Sequence, residues 1–136
     1  MKTEDQSVNI KNQKQAQKSK IEVKYRAFYL SINVIKFLSG LEQRNYIKII
    51  TNQLIRSITS VGANIVEAKA SASKREFCNY FQIALKSANE AKYWLAMLKE
   101  LLPEKRQEID NFIKELDEIA KIIGTSVLTM KGKRSL

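Results

Sequence analysis

Apolar residues recur along this chain at alternating three- and four-residue steps, the period of helices that pack along one face. Four such segments appear. The first runs on Ile21, Tyr25, Phe28, Ile32 and Ile35 and stops at Gly40, a natural terminator after Leu38 and Ser39. The second runs on Ile47, Ile50, Leu54, Ile58, Val61 and Ile65, and its later half is loaded with Ser57, Ser60, Gly62 and Ala63. A mid-helix glycine costs about 1 kcal/mol relative to alanine, so Gly62 points to a close helix–helix approach or a local bend. The third opens on Ser73-Lys-Arg-Glu76, in which serine and glutamate satisfy free backbone amides of the first turn. It then keeps Phe77, Phe81, Ala84, Ala88, Ala91, Leu95, Leu98 and Leu102 in one line. Pro103 ends it. The fourth carries Ile109, Phe112, Ile113, Leu116, Ile119, Ile123, Val127 and Met130, with Glu104, Glu108 and Asp110 where the helix dipole favours acids.

The pattern predicts an all-α chain with helices over 20–38, 42–69, 73–102 and 104–130, between a polar arm (1–19) and a basic tail (131–136). Short connections make an up-down-up-down four-helix bundle the economical topology. The third helix has a second apolar stripe, Tyr80, Ile83, Trp94, Met97 and Leu101, on an adjacent face. A helix apolar on two faces has more surface to bury than one neighbouring layer covers. This stripe is therefore the expected subunit interface of a homo-oligomer.

Composition removes most chemistry. The 136 residues include no histidine and one cysteine, which excludes histidine acid–base catalysis and an ordinary single-chain zinc site. Cys78, inside a helical pattern, reads as a packed thiol. No glycine-rich phosphate loop or nucleophile motif is present, so no catalytic residue, cofactor or metal is expected and the chain reads as non-enzymatic. No run of 18 apolar residues appears, so no membrane span is expected. The polar start from Met1 to Ser19 lacks a secretion signal's apolar core, so a cytoplasmic location is expected.

Net charge is +10, and the excess is uneven. Residues 1–26 and 36–75 are strongly basic, whereas 76–100 and 101–136 nearly balance. Lys69, Lys74 and Arg75 flank the turn into the third helix, whose free amides already favour anions. Two cations there oppose the dipole, and a phosphate relieves that opposition. Arg44 and Lys48 on the second helix, and Lys11, Lys14, Lys18, Lys20 and Lys24 in or beside the arm, extend the candidate basic surface. Solvated lysines that serve only solubility are the alternative. Basic groups and aromatics are not interleaved, so binding is expected to address backbone phosphates with steep salt dependence.

Arg56, Asn64, Glu67 and Glu90 are polar groups set in otherwise apolar helical surfaces. A charge buried without a partner costs several kcal/mol, so Glu90 is expected to pair with Arg56 or the Asn64 amide and fix the register of two helices. Glu67 and Glu90 as a carboxylate pair for metal binding or hydrolysis is the weaker alternative.

Ile58-x-x-Val61-Gly-Ala-Asn-Ile-Val-Glu-Ala68, Ser73-Lys-Arg-Glu-Phe77, Ile83-Ala-Leu-Lys-Ser-Ala-Asn-Glu90 and Tyr93-Trp-Leu95 together resemble a bacterial four-helix-bundle family. These are the proteins encoded in ribosomal RNA intervening sequences, related to the accessory variability determinant of diversity-generating retroelements. Ala68 stands where many members have glycine. The resemblance implies a homopentameric barrel of bundles and, for the retroelement members, a positive surface that binds nucleic acid and a reverse transcriptase. Two readings stand: an oligomeric adaptor that binds RNA or DNA beside an RNA-handling partner, or a structural, protein-interaction module with no nucleic-acid role.

Overall fold

The computed structural model describes residues 21–42 and 44–134, with side chains through Gly132. Helix α1 spans Val23–Ser39, α2 Asn45–Lys69, α3 Lys74–Leu101 and α4 Arg106–Arg134, with a 3-10 turn, Pro103–Lys105, leading into α4. The described residues contain no strand. The arm at 1–19 lies outside them, and α4 stays helical through Arg134, into the segment read as a tail.

Local chemistry sets the boundaries. Ser73 Oγ accepts the Glu76 amide at 3.1 Å, and Glu76 Oε2 accepts the Ala72 amide at 3.2 Å, so the cap closes one residue further back than a strict box. Gly40 has φ −87°, so α1 stops without using glycine's left-handed freedom. The stop is a tight turn in which the Gly40 amide reaches the Phe37 carbonyl at 3.2 Å.

Consecutive helices pack on each other and α1 closes against α4. Leu54, Ile58, Ile65, Phe81, Leu95, Leu98, Ile109, Leu116, Ile119 and Ile123 form the heart of the core, lined by the fully buried Ala84, Ala88 and Ala91. Cys78 is buried.

Helix α1 departs from the sequence reading. Its line Ile21, Tyr25, Phe28, Ile32, Ile35 faces outward: Tyr25 is 51% and Phe28 55% exposed. The inward line is Arg26, Ala27, Leu30, Ser31, Val34 and Leu38. The reason is the approach to α2. A Cβ on Gly62 would lie 3.5 Å from the Ala27 Cβ, so the helices meet where both side chains are smallest. Ser31 Oγ adds a bond to the Ile58 carbonyl at 3.1 Å. Bulky Phe28 and Ile32 do not fit at that distance, so the smaller, more polar face turns in.

Closure of α1 on α4 rests on Phe37 against Phe112, ring centroids 5.4 Å apart, and on a buried ion pair. Arg26 Nε donates to Glu115 Oε2 at 3.1 Å and Nη2 to Glu115 Oε1 at 2.5 Å, while Nη2 also donates to Glu118. Hydrogen bonding to Glu115 raises the guanidinium's proton affinity; burial works against it.

Candidate nucleic-acid interface

The antiparallel course places the α2–α3 corner, the start of α1 and the end of α4 at one end of the bundle. Phe77 in the first turn of α3 shares a shallow pocket with Ser126, Thr129 and Met130 of α4. Lys24 and Phe28 of α1 share a groove with Val66 and Glu67 of α2. The corner carries Lys69, Lys74 and Arg75, all exposed, and α4 brings Lys131 close by. Lys69 Nζ stands 5.9 Å from the Phe77 ring centre, a cation–π contact that holds its stem against the bundle and leaves the ammonium in solvent. Lys74 and Arg75 project from the first turn of α3, directly after the Ser73 cap. Among the described residues, the acids at this end are Glu22, Glu67 and Glu76, and Glu76 is engaged by the cap.

Arg44 and Lys48 do not join this surface. They sit at the opposite end of α2, and its 25 residues put roughly 35 Å between them and Lys69. Arg44 lines a pocket there with Glu42, Glu104 and Lys105, in a mixed rather than basic setting. Lys24 is described, half-buried, with its ammonium 5.0 Å from the Tyr25 ring centre; Lys11, Lys14, Lys18 and Lys20 lie outside the described residues. The sequence reading that basic groups and aromatics are not interleaved is also incomplete, because Tyr25, Phe28 and Tyr29 are exposed beside Lys24.

The four polar residues separate into three places. Arg56 Nη2 donates to Glu90 Oε2, and Trp94 Nε1 donates to the same oxygen at 3.1 Å. Gln53 Oε1 accepts from the Arg56 Nε and Nη2 at 3.1 Å each. Glu90 is thus the hub that ties α2 to α3. The pair is not buried, however: the side chains are 58% and 39% exposed, so water shares the charge and the pair positions more than it stabilises. Asn64 Nδ2 donates instead to the Ser60 carbonyl at 2.8 Å and to Ser60 Oγ, itself 2.9 Å from Ser87 Oγ. Glu67 is exposed on the α1–α2 groove. It stands three helical turns from the level of Arg56 and Glu90, so Glu67 and Glu90 do not form the carboxylate pair considered as the catalytic alternative.

The stripe expected to join subunits is only partly outward. Ile83 and Leu101 are exposed, whereas Tyr80, Trp94 and Met97 pack against the core. A second apolar surface, uncovered among the described residues, lies on α1: a groove of about 480 Å3 lined by Ile32, Ile35, Gly62 and Ala63. Two features escaped the sequence reading: this groove and the buried Arg26. The signal for the second was present, since Glu115 and Glu118 lie one turn apart on a helix with an otherwise apolar inner face.

Comparison with known proteins adds to this geometry. The family model of the 23S rRNA-intervening sequence protein matches residues 19–125. A crystal structure of a protein of unknown function from the S23 ribosomal protein family of Bacteroides thetaiotaomicron is similar at 30% identity and a TM-score of 0.72. The match covers 78% of this chain and 98% of that one. No curated protein matches the chain significantly.

Proposed function

The chain belongs to the 23S rRNA-intervening sequence protein family, and from that premise we propose a non-enzymatic, homo-oligomeric helical protein that holds nucleic acid by its phosphates at the basic end of the bundle. It acts there as an accessory to an RNA-handling partner such as a reverse transcriptase. The observation that carries this reading is topological. The fold brings Lys131 of α4 to the corner that already carries Lys69, Lys74 and Arg75, at the end where the lysine-rich arm joins α1. The far end mixes Arg44 and Lys105 with Glu42 and Glu104. A phosphate backbone meets such a one-sided charge through counterion release. A symmetric assembly, whether the pentameric ring implied by the resemblance or a two-fold pair, repeats this end and multiplies the phosphates reached.

Titration of fluorescently labelled RNA and DNA at low and physiological salt tests the reading. The full chain is expected to bind with a steep salt dependence, and the variant with Lys69→Glu, Lys74→Glu and Arg75→Glu to lose binding. Unchanged affinity in that variant sinks the proposal. A second reading, a protein-interaction module without nucleic acid, is favoured by the apolar groove on α1. It is the one left standing if neither RNA nor DNA binds at low salt.

A further inference from the structure

Between the first turn of α3 and the C-terminal turns of α4, a slot of about 250 Å3 opens at the basic end of the bundle. Phe77 lines it on the α3 side, and Thr125, Ser126, Thr129 and Met130 line it on the α4 side. The half-buried Phe77 ring is braced by Phe81, which is fully buried, with centroids 4.4 Å apart and planes tilted by 40°. The α4 side offers a thioether and three hydroxyls. Ser126 Oγ donates to the Ile122 carbonyl at 2.9 Å, which leaves its oxygen as an acceptor. Thr125 and Thr129 are exposed, with hydroxyls able to donate or accept.

An aromatic wall beside hydroxyls suits a flat ring with polar edges, which packs on the one and bonds to the other. The slot is smaller than the roughly 300–1,000 Å3 of a small-molecule pocket. It takes one ring system and leaves the rest of a ligand outside, where other groups must hold it. Those groups are cations. Lys69 Nζ is 5.9 Å from the Phe77 ring centre, Lys74 sits one turn before Phe77 on the same side of α3, and Arg75 follows it. All three are exposed. A slot for a flat ring, bordered by exposed cations, matches a nucleobase with its flanking phosphates. A duplex cannot use it, because its bases are stacked face to face and paired along their edges. An unpaired strand can turn a base out.

We propose that this corner selects single-stranded nucleic acid: one unpaired base enters the slot against Phe77, while Lys69, Lys74 and Arg75 hold the phosphates beside it. The inference rests on the nucleic-acid half of the proposed function and deepens it, adding a base contact to the phosphate contacts. Stacking accepts every base, so the slot separates unpaired from paired strands more than one sequence from another.

Fluorescence anisotropy on the full chain tests it with three labelled probes: a single strand, the same strand annealed to its complement, and the same strand carrying abasic sites throughout. The wild-type chain is expected to bind the single strand several-fold tighter than the duplex, although the duplex carries twice the phosphates. The abasic strand is expected to bind about tenfold more weakly than the intact one. Phe77→Leu keeps an apolar side chain and removes the ring, and circular dichroism checks its folding. It is expected to weaken single-strand binding about five- to tenfold, to leave duplex affinity and the salt slope unchanged, and to erase the preference for the intact over the abasic strand. Equal wild-type affinity for paired and unpaired strands overturns the inference. So does an abasic strand bound as tightly as the intact one, a comparison that needs no variant, or a Phe77→Leu protein that binds the single strand as wild type does. In each of those cases, salt-dependent binding that the corner variant loses leaves the proposed function standing. Failure of every probe to bind at low salt ends both.

Discussion

Arg26 on α1 and Glu115 on α4, 89 positions apart in the chain, form a two-bond ion pair behind a bundle seam, with the arginine only 6% exposed. Removing one partner of such a pair leaves the other charge partly desolvated. Arg26→Ala is expected to cost about 2–4 kcal/mol, read as a lower chemical-denaturation midpoint. Arg26→Lys is expected to fall between, because a lysine cannot reproduce the bidentate fork. The pH direction follows from the raised proton affinity of Arg26. A group whose proton is held more tightly in the folded state contributes fully below its unfolded value and loses that contribution only as pH climbs through the folded one. The difference in stability between wild type and Arg26→Ala is therefore expected to show no decline from neutral to mildly alkaline pH. A decline there in paired denaturation curves would contradict the assignment.

Thr51 is buried in α2, and its hydroxyl has no hydrogen-bond partner among the described residues. Valine keeps the shape and removes the desolvated oxygen. Thr51→Val is expected to stabilise the chain by about 1 kcal/mol, measured by thermal or urea unfolding. A destabilising outcome would mean that the hydroxyl is bonded in solution.

Two of the helical glycines, Gly62 and Gly124, have different surroundings. A Cβ on Gly124 meets nothing within 4 Å, so Gly124→Ala is expected to gain up to about 1 kcal/mol from helix propensity alone. At the α1–α2 crossing the sensitive side is opposite Gly62. Ala27→Leu pushes the helices apart and is expected to cost about 1–3 kcal/mol. Equal melting temperatures for Ala27→Leu and wild type would disprove the close approach.

The separation of the two basic groups on α2 makes the proposed interface directional. Arg44→Glu with Lys48→Glu is expected to leave RNA affinity within a few-fold of wild type, whereas single Lys69→Ala, Lys74→Ala or Arg75→Ala changes each lower the salt slope by about one. Equal losses at both ends would show charge acting as a whole-molecule field rather than as a site.

Much of the fold is legible in the sequence because α2, α3 and α4 each carry one dominant apolar line. Ile47 through Ile65, Phe81 through Leu98 and Ile109 through Val127 turn inward as their spacing indicates. The Ser73 cap is local chemistry, readable from four residues. Helix α1 is different because it carries two competing lines, and the bulkier one looks like the core by size. What decides between them is the glycine on another helix and the distance it permits, a tertiary fact that periodicity does not encode. The pairing of Glu90 with Arg56 is present as one of the two partners the sequence offered, but its exposure was not legible. The grouping of basic residues followed chain proximity too closely: Arg44 and Lys48 share a helix with Lys69 and sit at its other end.

The short connections at 40–44, 70–73 and 102–105 also set the order in which the chain assembles. The α2–α3 and α3–α4 hairpins bring together residues close in sequence, and such contacts form early at little loop-closure cost. The Arg26–Glu115 bond joins the first and last helices, so it is expected to form after the barrier. Its loss is expected to leave the refolding limb of a chevron nearly in place and to lift the unfolding limb. The ion pair is thus expected to govern how long the bundle stays shut rather than how quickly it forms, with α1 and its exposed aromatic face expected to be the first helix released.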